Sequence, residues 1–218
     1  MSRQLGLNSG DITNSLLGEL IGRVSNPHVF DVGANIGEFS AQCIKINKGT
    51  KIYAFEPQIE MLEIIKSKLP RNALIFPLAL SEKTGKMQMI RKFEGDRKAH
   101  ASQVDEEVSF VIEKSTIDMI VENLAIQEID LLKIDTEGHD FEVLKGAEQS
   151  LATNKIKCIV FEIMPRLLLQ GHTPVDVESF LRRHNFTKFF RVTPHLGLLP
   201  LQNLDNSELR TQNILCIK

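Results

Sequence analysis

Residues Val29 to Ser40 read VFDVGANIGEFS. Val29 and Phe30 run into Asp31, Val32 follows, and glycines stand at Gly33 and Gly37 with Asn35 between them. That order suits a buried strand that stops in a tight turn and reopens as a helix. In open α/β sheets, ligands bind beyond the carboxyl ends of the strands, where the strand order reverses. Gly33 leaves room for a ligand to approach the backbone. Gly37 lets the helix pack near the strand. The helix N-terminus offers unbonded N–H groups and partial positive charge.

The chain repeats that alternation. Helical spacing of Ile12, Leu16, Leu17, Leu20, Ile21 and Val24 predicts a helix over 11–24, packed on the domain or against a second copy of the chain. Strands are expected at 28–33, 51–55 and 73–80, with helices at 36–47 and 59–69 between them. A less regular insert follows: strands at 86–92 and 108–114 around a polar loop at 93–107, then a helix at 116–124. The α/β pattern resumes with a strand at 129–134, a helix at 140–151 and a strand at 156–163. A helix from Pro174 to His184 follows, then strands at 188–192 and 213–217 joined by a long connection over 193–211. Alternating strand and helix point to a doubly wound, mostly parallel sheet. At 218 residues, without repeat or linker, the chain reads as one domain, residues 1–218, with 1–27 as an N-terminal helical extension.

Composition narrows the function. Hydrophobic residues make up 42% and charged residues 25%, as in ordinary globular domains. The net charge of −2 gives no bulk attraction to nucleic acid or anionic membrane. No apolar run approaches the ~20 residues of a membrane span, and the first residues lack a signal-peptide pattern. Cys43, Cys158 and Cys216 are far apart in apolar surroundings, so buried free thiols in a reducing compartment are expected, and with them a cytoplasmic location.

The turn is not the dinucleotide fingerprint G-x-G-x-x-G, because Asn35 stands where its second glycine would be. There is no P-loop either. The second strand ends at Glu56-Pro57, and an acidic residue about 20 positions beyond a glycine-rich turn can accept hydrogen bonds from ribose hydroxyls. The site therefore asks for a ribose without a diphosphate, and S-adenosylmethionine has that shape. The plainer alternative is a tight turn beside a solvated Glu56.

VFDVGANIGEFS, YAFEP, PLALSEKTG, IDLLKIDTEGHDFEVLKGA and IVFEI, in this order between Val29 and Ile163, resemble the FkbM-type methyltransferases, a class I group dependent on S-adenosylmethionine. The KIDTEGHDFEVLKGA stretch is the most specific part. The resemblance implies a Rossmann-like seven-stranded sheet with a reversed last strand pair and an insert after the third strand. It implies methyl transfer to a hydroxyl of a small molecule, sugar or glycolipid. Asp31, Gly33, Ala34, Asn35 and Gly37 would then form the methionine-side turn, and Glu56 with Pro57 the ribose end. Ala79, Leu80 and Ser81 would frame the adenine, and Asp135 would stand beside the reacting centre.

A hydroxyl acceptor needs a base to take its proton. Asp135 is favoured for a role at that centre, and Glu137 or His139 has the chemistry of the base. Set against this, Glu137 and Asp140 can cap the next helix, and His139 can link loop to helix. The same cluster has donor types for a divalent cation, a less favoured reading. Glu162 faces either the cleft or a loop. His100 and Ser102 lie in the polar insert, as a lid over the acceptor or a solvated loop. The alternatives to O-methylation are N-methylation of an amine or protein side chain and a non-catalytic adenosyl-binding domain. With one Tyr and no Trp, stacking platforms for nucleic-acid bases are scarce.

Overall fold

The computed structural model describes residues 14–91, 108–193, 197–204 and 211–218. The loop expected at 93–107, with His100 and Ser102, and the start of the 11–24 helix lie outside the described residues.

Five strands run parallel at the centre: β1 (His28–Val32), β2 (Lys51–Phe55), β3 (Leu74–Phe76), β7 (Leu131–Ile134) and β8 (Cys158–Ile163). Every residue of β7 and of β8 is buried, which is why both read as near-continuous apolar runs. Beyond β8 the direction reverses, with β11 (Gln212–Ile217) antiparallel to β8 and to β9 (Lys188–Thr193). A further strand, β10 (Gly197–Leu201), pairs antiparallel with β9. The order is β10-β9-β11-β8-β7-β1-β2-β3, a Rossmann-like, mostly parallel sheet as the resemblance implies.

That sheet corrects the expected count, with eight strands instead of seven. The extra one lies within the 193–211 connection. Its sequence, GLLPL, carries a glycine and a proline and so resembles a loop, but an edge strand tolerates proline. The single strand expected over 73–80 is also divided. β3 belongs to the main sheet, while β4 (Ala79–Leu80) turns away to pair with β6 (Val108–Ser115). With β5 (Gly85–Arg91) they form a small second sheet in the order β4-β6-β5.

Helices cover both faces of the main sheet. On one face α1 (Asn14–Leu20), α2 (Glu38–Ile46) and α3 (Ile59–Lys68) bury Leu17, Cys43 and Ile65 against Val29, Ile52 and Leu131. α1 therefore packs on its own domain, and Asn14 accepts a 2.8 Å hydrogen bond from Gln42 of α2. On the other face α4 (Ile117–Asn123), α5 (Asp140–Lys145), α6 (Glu148–Ala152) and α8 (Pro174–Arg183) cover Phe30, Leu132 and Phe161. A four-residue helix, α7 (Arg166–Leu169), lies between β8 and α8. Thr173 and Asp176 form a reciprocal capping box at the start of α8, with Pro174 at its first turn.

One helix was expected over 140–151, and two are found. Gly146 is pressed onto the Ser81 carbonyl, and a Cβ there would lie 2.0 Å from that oxygen. Asp118 then caps α6, accepting from the Gln149 and Ser150 N–H groups at 2.9 and 2.8 Å. The three cysteines are free and buried. No helix among the described residues is long and apolar enough to cross a membrane.

Candidate functional site

The sheet brings the carboxyl ends of β1, β2 and β7 side by side. The 33–37 turn leaves β1, Glu56 ends β2 and Asp135 ends β7. Gly33 and Ala34 both donate to the Phe55 carbonyl at 3.0 Å, which ties the turn to β2. Gly33, Asn35 and Gly37 take positive φ values of 74°, 51° and 74°. Ala34 buries its side chain in the core.

The glycines have different neighbours from those expected. A Cβ on Gly33 would lie 1.9 Å from the Asp135 carbonyl oxygen, so the close approach there is to the β7 end. A Cβ on Gly37 would meet Ile65 of α3 at 3.5 Å, an ordinary contact; the helix packs on α3 at this point, not on the strand.

Glu56 is 4% exposed. One carboxylate oxygen accepts from the Asn35 N–H at 2.8 Å, the other from the Gln58 N–H at 2.9 Å. Burial pushes its pKa up to about 7 against the pull of those two bonds and of Lys133. Pro57 is half-buried between them.

Asp31 is fully buried, with Ser40 donating to its Oδ2 at 2.6 Å. Its other oxygen faces Lys133 Nζ at 3.1 Å. Lys133 was not singled out from the sequence, although a lysine inside the apolar run IDLLKI was a visible signal. Lys133 also donates to the Gly33 carbonyl at 2.9 Å and stands 3.8 Å from Asp135 Oδ2. Asp135 keeps a side chain 14% exposed. Burial pushes it up to about 6; Lys133 pulls down, and Asp140, Glu137 and Asp31 push further up.

The loop after Asp135 is built by Asp140. Its Oδ2 accepts from the Thr136 hydroxyl at 2.6 Å and the Thr136 N–H at 3.2 Å, and its Oδ1 from the Glu162 N–H at 2.9 Å. Asp140 thus joins the β7 loop to β8. Glu137 sits at the loop's apex with φ +54°, half-buried, and its carbonyl accepts from Arg166 Nη1 at 3.3 Å. Arg166 was not singled out from the sequence either. Glu162 is buried on β8.

His139 is hydrogen-bonded at one ring nitrogen and has a carboxylate near the other. Nε2 lies 3.0 Å from Ser81 Oγ, and Nδ1 lies 3.7 Å from Glu142 Oε2. Burial holds His139 below the ordinary imidazole range. The Ser81 contact joins the Ser81 rim to the start of α5. Ser81 is buried, and Leu80 packs into the main core, offering the site only backbone. Ala79 packs against Met89 and Ile112 of the small sheet. Among the described residues no group of three or more His, Cys, Asp or Glu side chains is placed to hold a metal ion.

A family model described as the methyltransferase FkbM domain matches residues 31–188. Hexuronic acid methyltransferase AglP of Haloferax volcanii is 27% identical over 156 residues, covering 70% of this chain and 60% of that protein. Methyltransferase sdnD of Sordaria araneosa is 28% identical over 160 residues, covering 57% of this chain and 62% of that protein. The chain therefore spans less than two thirds of the length of these curated relatives. A crystal structure of a methyltransferase FkbM from Methylobacillus flagellatus KT shares the fold with a TM-score of 0.58 at 17% identity, covering 97% of this chain and 48% of that one.

Proposed function

The chain belongs to the FkbM methyltransferase family, and on that premise we propose that it methylates a hydroxyl oxygen of a small-molecule or sugar acceptor, using S-adenosylmethionine. The observation that carries the reading is Glu56. A carboxylate almost fully removed from water is held at a strand end by two backbone N–H groups. Each oxygen keeps lone-pair capacity for a further donor. Paired ribose hydroxyls supply two such donors. The other end of the site has the complementary chemistry. Asp135 is a partly exposed carboxylate raised to about 6, and a cation beside it would offset its burial.

The residues at these strand ends fit the group. Glu56 would hold the ribose, the 33–37 turn and Asp135 the methionine side, and the segment ending at Ser81 the adenine. When bound, S-adenosylmethionine supplies a sulfonium methyl group for in-line displacement.

The chain's own part is to orient the acceptor and take its proton. We assign the base to Asp135, the partly exposed carboxylate at the β7 end, ahead of Glu137 at the loop apex and of His139, whose Nε2 is taken up by Ser81. Burial makes its carboxylate more basic than a solvated one, and it receives the hydroxyl proton as the oxygen is methylated. The relative named as a hexuronic acid methyltransferase supports a sugar as the acceptor molecule.

The test is calorimetric titration with S-adenosylhomocysteine, on the wild type and on Glu56→Gln. Micromolar binding by the wild type, weakened at least tenfold by the substitution, is expected. A wild type that unfolds cooperatively yet binds nothing sinks the reading.

A further inference from the structure

Arg166 opens α7, half-buried, just beyond the carboxyl end of β8. Its aliphatic stem lies across Gly138: a Cβ added to that glycine would meet Arg166 Cβ at 2.8 Å and Cδ at 3.0 Å. Nη1 donates to the Glu137 carbonyl at 3.3 Å. The stem and one edge of the guanidinium are thereby fixed against the β7 loop. The other edge, Nε with Nη2, has no hydrogen-bond partner among the described residues. No described carboxylate pairs with it either, although Asp135, Glu137 and Asp140 lie in the same loop.

Sheet order gives this cation its side of the site. β8 lies on the far side of β7 from β1 and β2. Glu56 and the 33–37 turn come from β2 and β1, Asp135 from β7, and Arg166 from the segment after β8. Arg166 is therefore across Asp135 from the cofactor turn. In-line transfer requires the acceptor to enter opposite the departing sulfur.

We propose that Arg166 grips a carboxylate on the acceptor and so sets the acceptor's hydroxyl against Asp135; the substrate class is hydroxylated carboxylic acids, acidic sugars foremost. This rests on the methyltransferase reading above. The Nε–Nη2 edge presents two parallel N–H groups, the fork that matches a carboxylate in bidentate fashion. Half-burial makes such a pair worth more than an exposed one. Asp135, Glu137 and Asp140 in the loop it leans on disfavour anions in general, so an anion gains only where it reaches that fork. A neutral acceptor gains nothing there.

The experiment compares matched acid and neutral acceptors in methyl transfer from labelled S-adenosylmethionine. The pairs are p-nitrophenyl glucuronide with the glucoside, galacturonic acid with galactose, and 4-hydroxybenzoate with 4-hydroxybenzamide. For at least one pair the wild type is expected to show a KM roughly tenfold or more lower for the acid. Arg166→Gln brings that ratio close to one, and Arg166→Lys, which keeps charge without the fork, retains a part. An acid and neutral acceptor handled alike by the wild type, or both left unmethylated, overturns the proposal. So does a preference that survives in Arg166→Gln. S-adenosylhomocysteine is titrated into the same preparations. Equal binding by wild type and Arg166→Gln assigns the loss to the acceptor side. No binding by the wild type overturns the methyltransferase reading itself, and this proposal with it.

Discussion

Lys133 Nζ lies 3.1 Å from Asp31 Oδ1 across the β1–β7 ladder, where the two residues are register partners. Their side chains are 3% and 0% exposed. The same ammonium reaches the Gly33 carbonyl and stands near Asp135, so one cation joins three positions of the candidate site. Burial pushes Lys133 toward neutrality, but Asp31 and Asp135 outweigh it and raise its pKa above the ordinary lysine range. Removing the lysine leaves a buried carboxylate without its counter-charge. Lys133→Met is expected to lose about 3–5 kcal/mol in urea unfolding. Adding Asp31→Asn removes the stranded charge and is expected to restore more than half of the loss. If single and double variants unfold at the same urea concentration, the ion pair does not hold this turn.

Glu56 is expected to make stability depend on pH and, in the proposed ribose role, to make cofactor affinity depend on pH with the opposite sign. Its folded-state pKa of about 7 lies above its ordinary value of 4.5 because burial disfavours the anion. Between those values the folded protein binds the extra proton, so this contribution is complete below pH 4.5 and fades as pH rises through 7. The whole span amounts to about 3 kcal/mol. Ribose hydroxyls need the carboxylate form, so affinity for S-adenosylhomocysteine is expected to strengthen from pH 6 to 8. Glu56→Gln removes both trends. Denaturation and calorimetry across that range, on wild type and variant, check them together; parallel pH curves for the two proteins would contradict the assignment to Glu56.

His139 titrates below its ordinary value because of burial, while Glu142 pulls it back up. Glu142→Gln removes that opposing charge and is expected to lower the His139 midpoint further, read from its ring protons by NMR. Ser81→Ala removes the partner at Nε2 and is expected to cost about 1 kcal/mol of stability. A His139 midpoint that rises in Glu142→Gln would show that the glutamate does not face the ring in solution.

Much of this was legible in the sequence because it is local. The first strand, its turn and Glu56 stand in two short stretches, and the fold ties the two together where the Asn35 N–H donates to Glu56. What escaped depends on contacts far apart in the chain. Lys133 reaches a carbonyl 100 residues away, and His139 meets a serine 58 residues away. Neither separation leaves a periodicity to read. The helix over 140–151 looked continuous because its apolar spacing runs through Gly146, and only the folded Ser81 carbonyl breaks it. β10 was hidden by Gly197 and Pro200, whose usual meaning is a turn.

Gly33 and Gly37 share a φ of +74°, yet they are expected to respond differently to alanine. At both, an L side chain must enter the left-handed region, which costs about 1–2 kcal/mol. At Gly37 that is nearly the whole cost, since the added Cβ meets Ile65 at 3.5 Å. At Gly33 the Cβ would lie 1.9 Å from the Asp135 carbonyl oxygen, a backbone atom of a residue whose N–H is bonded to the Val32 carbonyl at 3.0 Å. The strand ends must separate, which stretches the 2.9 Å bond from Lys133 to Gly33 as well. Gly37→Ala is therefore expected to remain folded, with its unfolding midpoint lowered by a few degrees. Gly33→Ala is expected to lose well over twice as much stability, with S-adenosylhomocysteine binding weakened in whatever stays folded. Thermal unfolding of the two variants side by side decides it. Equal losses would mean that the left-handed backbone alone, and not the approach of Asp135, explains why glycine stands at position 33.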